Sequence, residues 1–286
     1  MRLFLFFLSM VFMFGCTYKQ EEVKIVPLKI EQEFRSVQQR FGEEPYSVKV
    51  EQIVFLLGKK MAVRTKGFDL RYIFDGEKEE VIVINEKEKQ FFHIPFSLLS
   101  NNYYRLLLEG VRERLDQQKG IAAGMDEEER KRFEQRSSDC WKEMEALLKR
   151  PEPESVKTEV RELGELVTGH RAREIKVIAD GKVVAEAVVA FDLKLTSKPL
   201  AFIILISYLP NKVRAELAKV EGFPLRYKES GNLGDLKTEN ETKVKELKQV
   251  KDSEVLSEME IPNGYTKVEK PEIVESLQGL KEQTVK

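Results

Sequence analysis

The chain has 286 residues, 48 of them Lys or Arg and 49 Asp or Glu, so the formal charge is −1 although 34% of residues are charged. Charges that nearly cancel exclude the basic footprint of a nucleic-acid-binding surface, and two Cys with two His exclude a disulfide framework and offer no clustered set of metal ligands. The length suits one large domain or two small ones.

Residues 1–15 carry Arg2 and then an unbroken apolar run from Leu3 to Gly15. This is the form of a secretory signal, and the run falls short of the roughly 20 residues that a membrane-spanning helix needs. It ends Met13-Phe14-Gly15-Cys16, which resembles the lipobox of bacterial lipoproteins. The resemblance implies cleavage before Cys16 and a diacylglycerol on its thiol, hence a membrane partner through a lipid anchor. Thr17 in place of Asp after the Cys favours the outer membrane, facing the periplasm, by the sorting habit of enteric bacteria. A plain signal peptide with an incidental Cys16 is the alternative. Lipidation would leave Cys140 alone, so stability must come from the core. Residues 16–28 read as a polar tether.

From Lys29 to Phe41, the spacing of Ile30, Phe34, Val37 and Phe41 predicts a short helix. From Tyr46 the period changes to two. Tyr46 to Leu57, Met61 to Thr65, Phe68 to Phe74, Val81 to Ile84 and Gln90 to Pro95 predict a meander of about five antiparallel strands, with Asp75-Gly76 as one turn. Ile53 to Leu57 and Val81 to Ile84 are apolar throughout, so the middle of the meander is covered on both faces. Between Ser97 and Lys149 two helices are expected. Asp126 with Glu129 forms a variant capping box, and Trp141 lies beside Cys140 on an apolar stripe. His93 and His170 each lie beside a predicted strand, far apart and without nearby Cys, which reads as structural.

Pro151 and Pro153 end the helical pair and Glu159 to Val167 leads back into strands. Arg171 to Leu193 is a hairpin turning at Asp180-Gly181. A strict two-residue loop pairs Val177 with Val184, Ile175 with Glu186, Arg173 with Val188, Ile178 with Val183 and Lys176 with Ala185. Ser197-Lys198-Pro199 opens an apolar segment, Leu200 to Leu209, that is either a buried helix or one that lines or lids an apolar cavity. Val213 to Val220 continues as a more polar helix. Gly222-Phe-Pro-Leu225 opens a strand, Gly231 and Gly234 make a turn, Thr242 to Val250 is a further strand, and Val255 to Tyr265 closes the domain. Residues 269–286 form a charged tail.

The order Gly169-His-Arg-Ala-Arg-Glu, Asp-Gly hairpin, Phe191-Asp-Leu, apolar helix, Gly222-Phe-Pro-Leu225 and Ile261-Pro-Asn-Gly-Tyr265 resembles a family of uncharacterised bacterial envelope proteins. That family is related in fold to the lipoprotein carriers LolA and LolB. Arg71 before Asp75-Gly76, with Val81 to Ile84 and the strand through Phe92, fits its amino-terminal half. The resemblance implies an α+β fold: a curved antiparallel sheet, an incomplete barrel, with helices packed on its concave side. Residues 29–268 would then form a single domain with a helical insertion at 97–150.

Two classes of function stay open. One is a lipid-anchored envelope protein that takes an acyl chain, a lipid or the lipid moiety of a lipoprotein into an apolar cavity, as carrier or sensor. The other is a structural or signalling envelope lipoprotein with a filled core that acts through an envelope protein partner. A third class, an enzyme with a dispersed site of carboxylates, has no GxSxG, HExxH, CxxC or phosphate-binding Gly loop behind it, so no enzyme, cofactor or metal is expected. Should there be a pocket, the apolar residues of the central strands and of the segment after Pro199 are its candidates: Phe55, Val81, Val83, Val188, Ile203 and Leu205. A register slip of one residue would carry any strand member of this set to the opposite face.

Overall fold

A computed structural model describes residues 26–40, 44–99 and 151–268 apart from 194, 196, 197, 206, 208, 234 and 235, together with 126–132, 134, 135, 138 and 142. Cys16, the signal and tether up to residue 25, Cys140, Trp141, most of the helical pair and the tail from 269 lie outside the described residues.

Among the described residues twelve strands form one sheet. They are β1 (Leu28–Arg40), β2 (Tyr46–Leu57), β3 (Lys60–Thr65), β4 (Leu70–Asp75), β5 (Glu80–Asn85), β6 (Gln90–Pro95), β7 (Val156–Val167), β8 (His170–Ala179), β9 (Lys182–Ala190), β10 (Phe223–Leu233), β11 (Leu236–Gln249) and β12 (Thr266–Lys267). The spatial order is β12-β6-β5-β4-β3-β2-β1-β11-β10-β9-β8-β7. Every pairing is antiparallel except β12 on β6. Among the described residues β7 and β12 end the sheet without meeting, so it is not closed. Among the described residues three short helices follow the second hairpin: α1 (Pro199–Ile204), α2 (Asn211–Leu217) and α3 (Asp252–Leu256).

The expected meander is present as β2 to β6. The helix expected at Lys29 to Phe41 is instead β1, a thirteen-residue central strand. Its register explains the difference. β1 is held on both edges, by β2 and by β11, and Leu28, Ile30, Gln32 and Ser36 are buried at a period of two. Tertiary pairing overrides the helical spacing of Ile30, Phe34, Val37 and Phe41, the last of which lies outside the described residues.

Cross-strand partners define two faces. On the first, Leu28, Leu56, Met61, Phe74, Val81 and Ile94 run strand to strand across β1 to β6. The same face continues through Val244, Thr242 and Tyr227 to Ala187 and Ile175 on the far limb. On the second face Phe55, Ala62, Ile73 and Ile82 are partners. They form a separate buried cluster with Ile84 and with Val255 and Met259 of the α3 segment. This accounts for the strands that are apolar on both sides: one face meets the main core and the other meets α3.

Helix α1 shows that the sheet is curved. Phe202 stacks on Phe74 of β4 with ring centroids 5.7 Å apart, while Leu200 and Ile204 pack with Val177, Val189 and Tyr227 of β8, β9 and β10. In a flat sheet β4 and β10 would be about 24 Å apart, five strand spacings, and a six-residue helix is only about 9 Å long. One short helix touches both limbs only if the sheet is curved. The helices divide between the faces, α1 and α2 on the first and α3 on the second.

The second hairpin keeps its Asp180-Gly181 turn, both residues at positive φ, but not the strict pairing. Ile178 faces Val183 as expected; a bulge at Val184 then sets Val177 against Ala185, Lys176 against Glu186, Ile175 against Ala187 and Arg173 against Val189. Without the bulge Glu186 would lie opposite Ile175 beneath the helices. With it, the inward positions opposite Ile175 and Val177 are alanines, which let α1 and α2 approach closely, and Lys176 Nζ lies 3.5 Å from Glu186 Oε1 on the other face. Of the expected helical pair, residues 127–132 are helical, and Asp126 caps them by accepting from the Glu129 amide at 2.8 Å.

Candidate functional site

The site is built around α1. Pro199 starts the helix with a preset φ, and Leu200, Phe202 and Ile204 turn to the sheet and are buried. Phe202 lies between Phe74 and Phe96, the latter 5.8 Å away and tilted by 54°. The β4–β5 turn makes room for this ring: a Cβ on Gly76 would lie 2.9 Å from the Lys59 carbonyl oxygen and 3.1 Å from Phe202 Cζ. Asp75 fixes the turn. Its Oδ1 accepts from the amides of Glu77 and Lys78 at 3.0 and 3.1 Å, and Lys60 Nζ is 3.0 Å from Oδ2. Burial alone would raise the Asp75 pKa, but the Lys60 ammonium and the two amides outweigh it and hold the carboxyl below its usual range.

A buried polar network anchors the connector between α1 and α2. Glu229, on the first face of β10, accepts from Ser207 Oγ at 2.6 Å, Tyr227 Oη at 2.7 Å and Asn240 Nδ2 at 2.9 Å. Ser207 Oγ in turn accepts from the Leu209 amide at 3.1 Å. Burial, then the charge and hydrogen bond of Glu229, raise the Tyr227 pKa well above its ordinary value, so the phenol remains a donor. Three uncharged donors on one carboxylate make a tether, not an acid–base pair with a nucleophile.

Not every inward apolar residue is covered. Val63, Tyr72, Ile203 and Leu205 pack against the main cluster but are only partly buried. Tyr72 sits between Val63 and Val83 in register. Its hydroxyl oxygen is buried without a hydrogen-bond partner, and burial pushes the phenol above its normal pKa.

Of the sequence-derived candidates, Val81 and Val83 are buried on the first face, and Ile203 and Leu205 border the same cluster. Phe55 lies in the second-face cluster. Val188 is half-buried and also borders the main cluster, with Glu174 and Arg226 as cross-strand neighbours, although it alternates with Ala187 and Val189 of the other buried cluster. One pocket cannot hold all six. Cys16 is outside the described residues.

Sequence reasoning missed two charged residues. Glu229 falls two positions after Tyr227 and four after Leu225, so a carboxylate in an inward alternation was the available signal. Arg71 is buried on the second face. Its Nη1 donates to the Ser257 and Glu258 carbonyls at 3.2 and 3.0 Å, and its Nε lies 3.1 Å from Glu86 Oε1. Arg64 lies 2.9 Å from Glu258 and 3.1 Å from Glu86, and Tyr265 Oη donates to Glu86 at 2.9 Å. This group clamps the α3 segment to β4 and β5. His93 pairs with Glu80 and His170 with Asp192. Among the described residues no group of three or more His, Cys, Asp and Glu could hold a metal ion, and no helix is long and apolar enough to cross a membrane.

No family model and no curated protein matches the chain. Similar solved structures exist. An uncharacterized conserved protein from Thermus thermophilus is 13% identical with a TM-score of 0.36, the match covering 87% of this chain and 94% of that one. A putative outer membrane lipoprotein-sorting protein domain from Vibrio parahaemolyticus is 6% identical with a TM-score of 0.29, covering 81% and 90%. A LolA superfamily protein from Nitrosomonas europaea is 5% identical with a TM-score of 0.24, covering 79% and 89%. Likeness this distant transfers no function to this chain.

Proposed function

We propose that this is an envelope protein, lipid-anchored through Cys16, that binds a hydrophobic ligand between the concave face of its sheet and the α1–α2 segment, as carrier or sensor. The ligand class is an acyl chain, a lipid or the lipid moiety of a lipoprotein. The reading is carried by the incomplete burial of Val63, Tyr72, Ile203 and Leu205 on the face that bends around α1. A filled core would cover them as fully as Ala62, Ile73 and Ile84 are covered on the second face. Sequestering a chain against such a surface is worth about 0.8 kcal/mol per buried CH₂. The unpartnered Tyr72 hydroxyl suits a ligand with an ester or carboxyl oxygen, because a buried donor left unpaired costs about 1–3 kcal/mol. The α1–α2 connector, tied to the sheet where Ser207 donates to Glu229, would serve as its lid.

The second reading is the filled-core envelope protein acting through protein contacts, favoured by the exposed Val160 and Leu166 of β7. Native mass spectrometry of the full chain, purified gently from its own envelope and compared with a delipidated sample, separates the two. The ligand reading expects a defined mass increment lost on organic extraction. It also expects uptake of a fluorescent fatty acid that Ile203→Trp, which fills space at a partly open position, reduces several-fold without lowering the unfolding temperature. An apo mass with no uptake overturns it.

A further inference from the structure

The geometry points to a second copy of this chain as the partner of β7, joined edge to edge about a two-fold axis at Val160. β7 ends the sheet and, among the described residues, pairs only with β8. Its edge is open: Val160 is 60% and Leu166 64% exposed.

The direction of the free backbone groups follows from the hairpin end. Asp180 N–H donates to the Ser155 carbonyl at 3.1 Å, and these two residues continue the β7–β8 register that pairs Val156 with Ala179 and Lys157 with Ile178. Bonded and non-bonded pairs alternate in an antiparallel ladder. Lys157, Glu159 and Arg161 therefore turn their backbone groups to β8, and Val156, Thr158, Val160 and Glu162 turn theirs outward. A symmetric ladder through the outward groups pairs even-numbered residues with even-numbered ones, and its axis passes through one residue of β7, in a bonded or a non-bonded pair.

Charge selects among them. Centred on Val160, the pairing sets Glu159 opposite Arg161 of the second copy and Arg161 opposite its Glu159, buries Val160 against Val160, and faces Thr158 with Glu162. Centred on Glu159, it would set Lys157 against Arg161 and Glu159 against Glu159, and centred on Arg161, it would set two guanidiniums face to face. Centred on Thr158, it runs out of strand at Val156. Beyond Glu162 the register with β8 is irregular as far as Leu166, which ends the usable edge. Charges along an edge strand normally prevent promiscuous pairing. Glu159 and Arg161 do so against most strands while remaining complementary to their own reverse about Val160.

The test is sedimentation velocity of the purified full chain over a wide concentration range, with a dimer expected. Val160→Pro removes an outward N–H and no β7–β8 bond, so it should give a monomer with unchanged circular dichroism. Glu159→Arg should raise the dissociation constant about tenfold through two lost pairs, and adding Arg161→Glu should restore it. In a chain with Cys140 replaced by Ser, Val160→Cys should form an interchain disulfide on mild oxidation, since bonded antiparallel partners have Cα atoms about 5.5 Å apart. A wild-type monomer at every concentration, a dimer indifferent to Val160→Pro, or a charge swap that fails to restore association would overturn the pairing.

Discussion

Replacing Arg71 by Met tests how the carboxy-terminal segment is held on the second face. The Arg71 side chain is 2% exposed, whereas that of Arg64, which shares both carboxylate partners, is 43% exposed. Arg71→Met removes two charge-assisted bonds to the Ser257 and Glu258 carbonyls and the contact with Glu86. It leaves two peptide oxygens unpaired beside α3. Hydrogen bonds to charged groups are each worth about 1.5–3 kcal/mol, and breaking a buried ion pair costs about 3–5 kcal/mol. Arg64 continues to pair with Glu86 and Glu258, so the expected loss is about 3 kcal/mol, at the lower end. Arg64→Met, at a solvent-screened position, should cost about 1 kcal/mol or less. Urea unfolding followed by circular dichroism gives both numbers. Hydrogen exchange at Val255 to Met259 should accelerate in Arg71→Met alone, because Val255 and Met259 lose the clamp that seats them on Ile73 and Ile84. Equal effects of the two substitutions, or exchange in α3 that does not change, would refute the clamp.

Gly222→Ala should destabilise by several kcal/mol. Its Cβ would lie 2.2 Å from the Ala190 carbonyl oxygen and 2.8 Å from Val189 Cγ1 at a φ of +102°, and backbone conformations of this kind cost about 1–3 kcal/mol before any clash. Gly169→Ala, at φ +80° with nothing within 4 Å, is the control, and equal unfolding temperatures for the two variants would remove the close-approach explanation. Asp75 supplies a pH dependence. Its folded pKa is depressed, so its stabilising contribution is fully present above the unfolded value of about 3.9 and disappears as pH falls through the lower folded value. Asp75→Asn should flatten that part of the acid limb of stability measured by urea midpoints; an unchanged acid limb would show that other carboxylates carry it.

Much of the fold was legible because its signals are local. The β2–β6 meander has a period of two and turn residues between its strands, and Asp180-Gly181 can take positive φ at both positions. What failed depends on partners distant in sequence. β1 looks helical until β2 and β11 are placed on its two edges. The bulge at Val184 is invisible in a run of Val and Ala, yet it decides which of Glu186 and Ala187 faces the helices. The same limit applied to the candidate pocket. Val81 and Val83 share the first face because they are two apart, but Phe55 was assigned from a run apolar on both sides and lies on the second face. Glu229 and Arg71 were hidden because their partners, Ser207 in a connector and Ser257 at the end of α3, are placed only by the tertiary fold.

The two-sided strands give the molecule a division of labour. On the second face Ala62, Ile73, Ile84 and Val255 are nearly inaccessible, and the Arg71 group closes over them without help from the first face. Burying a large aliphatic side chain contributes about 1.5–3 kcal/mol, so this small cluster is enough to make β2 to β5 rigid by itself. A rigid backing changes what the other face has to do. If β3 and β4 drew their order only from α1, leaving Val63 and Tyr72 partly uncovered would loosen the strands that carry them. Because Ala62, Ile73 and Ile84 are already fixed, the first face can keep apolar surface accessible next to Phe202 without losing the geometry of the site. If the first face binds the proposed ligand, α3 on the opposite side of the sheet is its support, and weakening the Arg71 clamp should disturb the first face through the strands they share.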